Sequence, residues 1–174
     1  MNRKSLEKHE HELSIRVMKS SIIGPIMFAA SAKGLMIVSI LSDEDLFFFS
    51  EKTVEQGSGR IADEAVSQMR DYFDGTLKNF SVPVDLQDLT DFQREVLLET
   101  KAITIGEILT YGEVAQQIGR PQSARADGGA LARNPIVIIS PCHLEVAHDG
   151  TLHGLTPPNG CLINVKLIAI ESVK

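Results

Sequence analysis

Val114-Ala115-Gln116-Gln117-Ile118-Gly119-Arg120-Pro121-Gln122-Ser123-Ala124-Arg125-Ala126-Asp127-Gly128-Gly129-Ala130-Leu131 decides how the second half of the chain is read. Val114, Ala115 and Ile118 recur at helical spacing, and Gly119-Arg120-Pro121 breaks the pattern. Ser123 is then expected to cap a second helix running to about Leu131. Two short helices across a tight glycine-containing turn describe a helix-turn-helix.

Working outward toward the N-terminus, Thr110-Tyr111-Gly112-Glu113 leads into the first of these helices, and Ile105-Gly106 is a break. Thr90-Asp91 reads as the cap of an earlier helix with Phe92, Val96 and Leu97 on its apolar face. Residues 80–90, with Pro83 and alternating Val82, Val84 and Leu86, read as an extended connection. Before it, Ile61, Ala65, Met69 and Tyr72-Phe73 describe an amphipathic helix that stops at Gly75. Residues 15–50 carry short apolar runs bounded by Gly24-Pro25 and by Ser31-Ala32-Lys33-Gly34, the pattern of antiparallel strands in a small sheet. The expected fold class is α/β, with a sheet-and-helix domain over 1–88 and a helical domain over 89–174.

At 174 residues, 43% hydrophobic and 23% charged, the chain has a globular balance. No apolar run reaches the roughly 18 residues of a membrane span, and the charged N-terminus lacks a signal-peptide core. A cytoplasmic protein is expected. The net charge of −6 excludes a protein that holds nucleic acid by blanket attraction to phosphate. Between residues 120 and 133, however, Arg120, Arg125 and Arg133 outnumber the acid Asp127, a local charge of +2.

The two cysteines are far apart and make no disulfide framework. Taken alone, Cys142 reads as a small core hydrophobe. Pro141 and His143 beside it, with Asn134-Pro135 upstream, favour a reactive thiol instead. Cys161, between Gly160 and Leu162 with no base nearby, keeps the core reading. His9, His11, His148 and His153 show no structural-zinc spacing with either cysteine, so no metal and no cofactor are assigned.

Five segments in order resemble the O6-alkylguanine-DNA alkyltransferases, also called methylated-DNA-protein-cysteine methyltransferases. They are Asp91-Phe92-Gln93-Arg94-Glu95-Val96, Thr110-Tyr111-Gly112-Glu113-Val114-Ala115, Ser123-Ala124-Arg125-Ala126-Asp127-Gly128-Gly129-Ala130, Asn134-Pro135-Ile136 and Pro141-Cys142-His143. Gly24-Pro25, Ala29-Ala30-Ser31 and Lys33-Gly34-Leu35 resemble the family's opening hairpin, so the likeness spans nearly the whole chain. It implies a ribonuclease-H-like N-terminal sheet with a helix, and a C-terminal domain with a winged helix-turn-helix.

The implied reaction is stoichiometric transfer of an alkyl group from O6-alkylguanine, and from O4-alkylthymine, in double-stranded DNA to Cys142. A thiolate suits attack at an alkyl carbon, and it needs a base to form at neutral pH. By resemblance His143 takes the thiol proton through a water, and Glu171, three residues after Ile168, orients His143. Tyr111 aids base rotation and protonates the departing guanine, and Asn134 ties the helix-turn-helix to the cysteine segment. The damaged base must leave the stack, and Arg125 is implied to fill the gap. Ser123, Ala126, Gly128, Gly129 and Arg133 complete the implied DNA-contacting surface of a monomer, in the minor groove, where readout is degenerate.

The chain departs from the family around the cysteine. Leu144-Glu145 follow Cys142-His143 where the family has arginine and valine, Leu155 replaces a pocket tyrosine, and Asn164 replaces a lysine. The loop with Pro157-Pro158 is longer. These changes predict slower reaction with O6-methylguanine and better tolerance of bulkier alkyl groups. Two further readings are a protein that binds alkyl damage without transfer, and the same thiol serving a non-DNA alkyl donor.

Overall fold

The computed structural model describes residues 13–51, 59–104, 106–147 and 160–172. It divides into two compact units between Asp85 and Leu86. His148, His153, Leu155 and the Pro157-Pro158 loop lie outside the described residues, as do the N-terminal His9 and His11 and the side chain of Cys161.

In the first unit, β1 (Ser14–Met18), β2 (Ile26–Ala30) and β3 (Leu35–Ile40) form an antiparallel sheet in that order. Ser14 pairs with Ala30 and Ile26 with Ile40. The central strand β2 is buried at every residue, which is why it reads as an unbroken apolar run rather than an alternation. Met27 and Ala29 join Leu13, Met36, Ile37 and Leu41 in one core cluster. Residues 43–51 are not a strand: Asp43–Glu51 form a helix, α1. The hydroxyl of Ser42 accepts from the Asp45 amide at 3.2 Å, three acids occupy the first turn, and Leu46 packs on the core cluster.

Helix α2 (Arg60–Phe73) buries Ala65, Met69 and Tyr72 as their spacing predicts, with Ala62 rather than Ile61 at its start and Phe73 only half-buried, and packs on the sheet. Arg16 of β1 holds it through an ion pair to Asp63 at 2.7 Å. The chain then returns to the sheet at Leu35, whose amide donates to the Pro83 carbonyl at 2.8 Å and whose carbonyl accepts from Asp85 at 2.9 Å. Gly34 is required there, because a Cβ at this position would stand 2.5 Å from the Val84 carbonyl carbon.

The second unit holds α3 (Asp91–Ala102), β4 (Leu109–Thr110), α4 (Tyr111–Gln117), α5 (Ala124–Leu131), a 3-10 turn (Cys142–Leu144), β5 (Glu145–Val146) and α6 (Gly160–Ser172). Thr90 with Gln93, and Thr110 with Glu113, form reciprocal capping boxes at the starts of α3 and α4. Gly119 turns the chain between α4 and α5 with φ of +72°, a conformation that glycine adopts without strain. Ser123 does precede α5, but its side chain does not cap it. With φ of −96° and ψ of 6° it lies outside the extended region that aims a hydroxyl at the helix amides, and it donates to the Arg120 carbonyl at 2.8 Å instead.

Candidate active site

The chain leaving α5 makes a tight turn that ends at the cysteine. Asn134 organises it: its Oδ1 accepts from the Ile136 amide at 2.9 Å, and its Nδ2 donates to the Ser140 carbonyl at 2.9 Å and to Cys142 Sγ at 3.4 Å. The Ser140 amide donates to the Ile136 carbonyl at 3.0 Å, and its hydroxyl donates to the Leu97 carbonyl of α3, also at 3.0 Å. Inside this turn Ile138 has φ of +74°, a left-handed conformation rare for a β-branched residue. Such strain costs roughly 1–3 kcal/mol and persists only where the surroundings over-determine it, here by the hydrogen bonds of Asn134 and Ser140.

Cys142 opens the 3-10 turn and is 8% exposed. Burial pushes its thiol up to about 11, partly offset by the Asn134 hydrogen bond and reinforced by the charge of Glu145. The resting residue is therefore a protonated thiol at neutral pH, and a base must act to make it a nucleophile. The next residue, His143, meets Glu171 on α6: Nε2 and Oε1 are 2.9 Å apart, with the two side chains 1% and 3% exposed. Asn164, Leu167 and Glu171 form the inward face of that helix. Nδ1 is the ring nitrogen left for exchanging the thiol proton.

Tyr111 is the first residue of α4 and is half-buried. A Cβ on Gly128 of α5 would touch its ring at 3.9 Å, so the small residue makes room for the phenol. Burial, and then the charges of Glu145, Cys142 and Asp127, push Tyr111 up to about 12, which keeps the phenol able to donate.

Those two carboxyl groups were not expected in the interior. Asp127 is fully buried on α5, and burial pushes it up to about 7. Glu145 is buried at the start of β5, and burial pushes it up to about 8, against the opposing hydrogen bond that Thr100 donates at 2.6 Å. Asp127 falls on the helical face of Ala130 and Leu131, and Glu145 ends a buried run that begins at Ile138, but an acid at either position carries no sequence signal of burial. Leu144, standing for the family's arginine, packs with Ile103, Val114 and Leu109 in the core. It keeps the 3-10 turn fastened to α4.

The implied DNA-contacting residues lie on the outside of α5 and just beyond it. Arg125, Ala126 and Arg133 are exposed, and neither arginine forms an ion pair among the described residues. Gly128 and Gly129 are half-exposed, and a Cβ on Gly129 would meet nothing within 4 Å. Arg120 is committed elsewhere: it grips Glu95 at 2.8 and 3.2 Å and lies over the Phe92 ring at 5.7 Å. With Asp127 buried and Arg120 neutralised, Arg125 and Arg133 carry the local positive charge. An open groove of about 530 Å³ lies at the turn, lined by Phe92, Arg120, Pro121, Gln122, Ser123 and Ala126, away from the thiol. Among the described residues no group of three His, Cys, Asp or Glu could hold a metal, and no helix is long and apolar enough to cross a membrane.

Residues 91–173 match the family profile described as 6-O-methylguanine DNA methyltransferase, DNA binding domain. The methylated-DNA–protein-cysteine methyltransferase of Methanosarcina acetivorans is 40% identical over 134 residues, covering 77% of this chain and 84% of the relative. That of Mycobacterium leprae is 38% identical over 154 residues, covering 88% of each. The chain belongs to the methylated-DNA–protein-cysteine methyltransferase family. Among solved members of this family, the Mycobacterium tuberculosis O6-methylguanine methyltransferase superposes with a TM-score of 0.77 at 35% identity, covering 92% of this chain and 93% of that one. The structure of Mycobacterium tuberculosis OGT in complex with DNA gives 0.72 at 33% identity, covering 91% and 92%.

Proposed function

We propose that this methyltransferase reverses DNA damage directly, moving the alkyl group of O6-alkylguanine, and of O4-alkylthymine, onto Sγ of its own Cys142. The observation that carries this reading is the buried thiol in a hydrogen bond from Asn134, adjacent in the chain to a histidine bound to a buried carboxylate. The proton of the thiol passes to His143, whose cationic form Glu171 stabilises. The thiolate attacks the alkyl carbon, a C–S bond forms, and the C–O6 bond breaks with its electron pair moving to the guanine. Tyr111 supplies a proton to that base and is reprotonated at the expense of His143. On balance the thiol hydrogen ends on guanine and the alkyl group on sulfur.

Removing the alkyl group from S-alkylated Cys142 would need a nucleophile to expel a thiolate, and among the described residues no side chain near the sulfur is placed to do so. Each chain therefore acts once. The substrate base reaches Cys142 only after leaving the duplex, at a cost of a few kcal/mol. Arg125 occupies the vacated stack, while Ser123, Ala126, Gly128, Gly129 and Arg133 line the backbone approach of a protein acting as a monomer in the cytoplasm.

Intact-mass measurement after incubation with excess duplex containing O6-methylguanine tests the reading. One added methyl per chain, on the peptide containing Cys142, is the expected result. Multiple turnovers, or methyl on Cys161, sinks the single-use mechanism. Tight binding to the lesion with no mass change converts the protein into a damage-binding module, and alkylation only by a free small donor moves its substrate away from DNA.

A further inference from the structure

Asp127 and Glu145 come from different elements, α5 and β5, and are both buried, within electrostatic reach of each other. Neither oxygen of Asp127 has a hydrogen-bond partner among the described residues, and neither does Oε2 of Glu145. Oε1 of Glu145 receives the Thr100 hydroxyl, which is itself buried and also donates to the Val96 carbonyl. No basic side chain stands within ion-pair distance of either carboxyl group among the described residues. Valine, which the family has at position 145, could impose no charge there.

Burying two unpaired carboxylates near each other is far costlier than keeping one of them protonated, so the pair holds at least one proton at neutral pH. The neighbouring elements bring the other titratable groups: Tyr111 on α4, Cys142 and His143 on the 3-10 turn, and Glu171 on α6, the last bound to His143. From α3 come Thr100 and, next in sequence, Lys101, whose amine is depressed by desolvation. The Glu145 amide donates to the Cys142 carbonyl and so closes the 3-10 turn, both residues are buried, and the charge of Glu145 reaches both Cys142 and Tyr111. Ionised, it makes a second negative charge on Sγ more costly.

We propose that Glu145, coupled to Asp127 and held by Thr100, is a positioning residue for alkyl transfer: protonated, it permits the thiolate at Cys142, and ionised, it locks the thiol proton in place. This rests on the transfer reading for its biological meaning, but the linkage between the two groups is a property of the folded chain. An unmodulated thiol reacts faster as the pH rises. Here Glu145 gives up its proton to solvent near pH 8, and the gain in thiolate is opposed from there upward.

The test uses wild type, Glu145→Gln and Thr100→Val, each checked for folding by circular dichroism. Two pH profiles are taken: single-turnover methyl transfer from a methylated duplex, and carbamidomethylation of Cys142 by iodoacetamide, read on its own peptide. Glu145→Gln should lower the midpoint of Cys142 titration by about one pH unit and steepen the rise of transfer above pH 8. Thr100→Val removes the bond that favours ionised Glu145, so the flattening of the wild-type rise should begin at higher pH. Superimposable iodoacetamide profiles for wild type and Glu145→Gln overturn the proposal. Should Glu145→Gln not fold, Asp127→Asn and Thr100→Val decide it, and unchanged profiles in both overturn it. If no chain transfers methyl while the iodoacetamide profiles differ as described, the linkage stands and the transfer reading fails.

Discussion

Asn134 donates from one amide nitrogen to both the Ser140 carbonyl and Cys142 Sγ, at 2.9 and 3.4 Å, so a single side chain fixes the turn and contacts the buried thiol. Its carbonyl oxygen, meanwhile, closes the preceding bend by accepting from Ile136. The same residue therefore holds a left-handed Ile138 in place and supplies the hydrogen bond that lowers the Cys142 thiol against the effect of burial.

Asn134→Ala should slow single-turnover methyl transfer by about ten- to a hundredfold, the range of a hydrogen bond to a charged group. The Cys142 titration midpoint should rise in the same variant. A rate loss with an unmoved midpoint assigns Asn134 to the turn alone.

Glu171→Gln preserves shape and one hydrogen bond but removes the charge that steadies a protonated His143. Transfer should fall by about a hundredfold or more, the scale of general acid–base catalysis. Iodoacetamide at a pH high enough to ionise the thiol directly should modify variant and wild type alike. An equal loss in both assays shows that α6 has come away.

Arg125→Ala should impair reaction with duplex O6-methylguanine more than with free O6-benzylguanine, because only the duplex requires a base to leave its stack. The two rates are compared in parallel. Equal losses make Arg125 structural.

Gly34→Ala places a methyl against the backbone of Val84 and Asp85, which cannot swing aside as a side chain could. A loss of roughly 1–3 kcal/mol of stability is expected, as for overpacked sites. Thermal unfolding measures it, and an unchanged midpoint shows that the return strand at Val84 is loosely held.

Asp127 and Glu145 are raised in the folded protein to about 7 and about 8, above the value of about 4 for an unfolded carboxyl. The folded state then holds protons that the unfolded chain has released, so stability falls as pH rises from about 4 to about 8 and the penalty is full above that. Asp127→Asn should raise the unfolding midpoint relative to wild type more at pH 9 than at pH 5. A pH-independent difference shows that Asp127 titrates normally.

The elements that the sequence discloses are those whose signals are local. Thr90 stands three residues before Gln93 and Thr110 three before Glu113, and both boxes form. The spacing of Ala65, Met69 and Tyr72 gives the α2 stripe, though at its start the buried residue is Ala62 and not Ile61. Helix α1 was concealed because Leu46 and the phenylalanines after it look like a strand, and the Ser42 cap decides the matter. At the site, the proximity of Cys142, His143 and Asn134 is written in the chain, whereas Glu171 becomes visible only through family likeness. The inward turn of Asp127 and Glu145 depends on packing between α3, α5 and β5, and no local rule anticipates a pair of acids in an apolar setting. Leu144 is the converse case, a departure two residues after Cys142 that packs into the core with Ile103, Val114 and Leu109.

The bond between His143 and Glu171 spans 28 positions of sequence. Ribosomes deliver Cys142 and His143 well before Glu171, and α6 is the last described helix of the second unit. A nascent chain therefore carries Cys142 and His143 without the partner carboxylate of Glu171. On the proposed mechanism, assisted ionisation of the thiol begins only when α6 docks, so the last described helix completes the site.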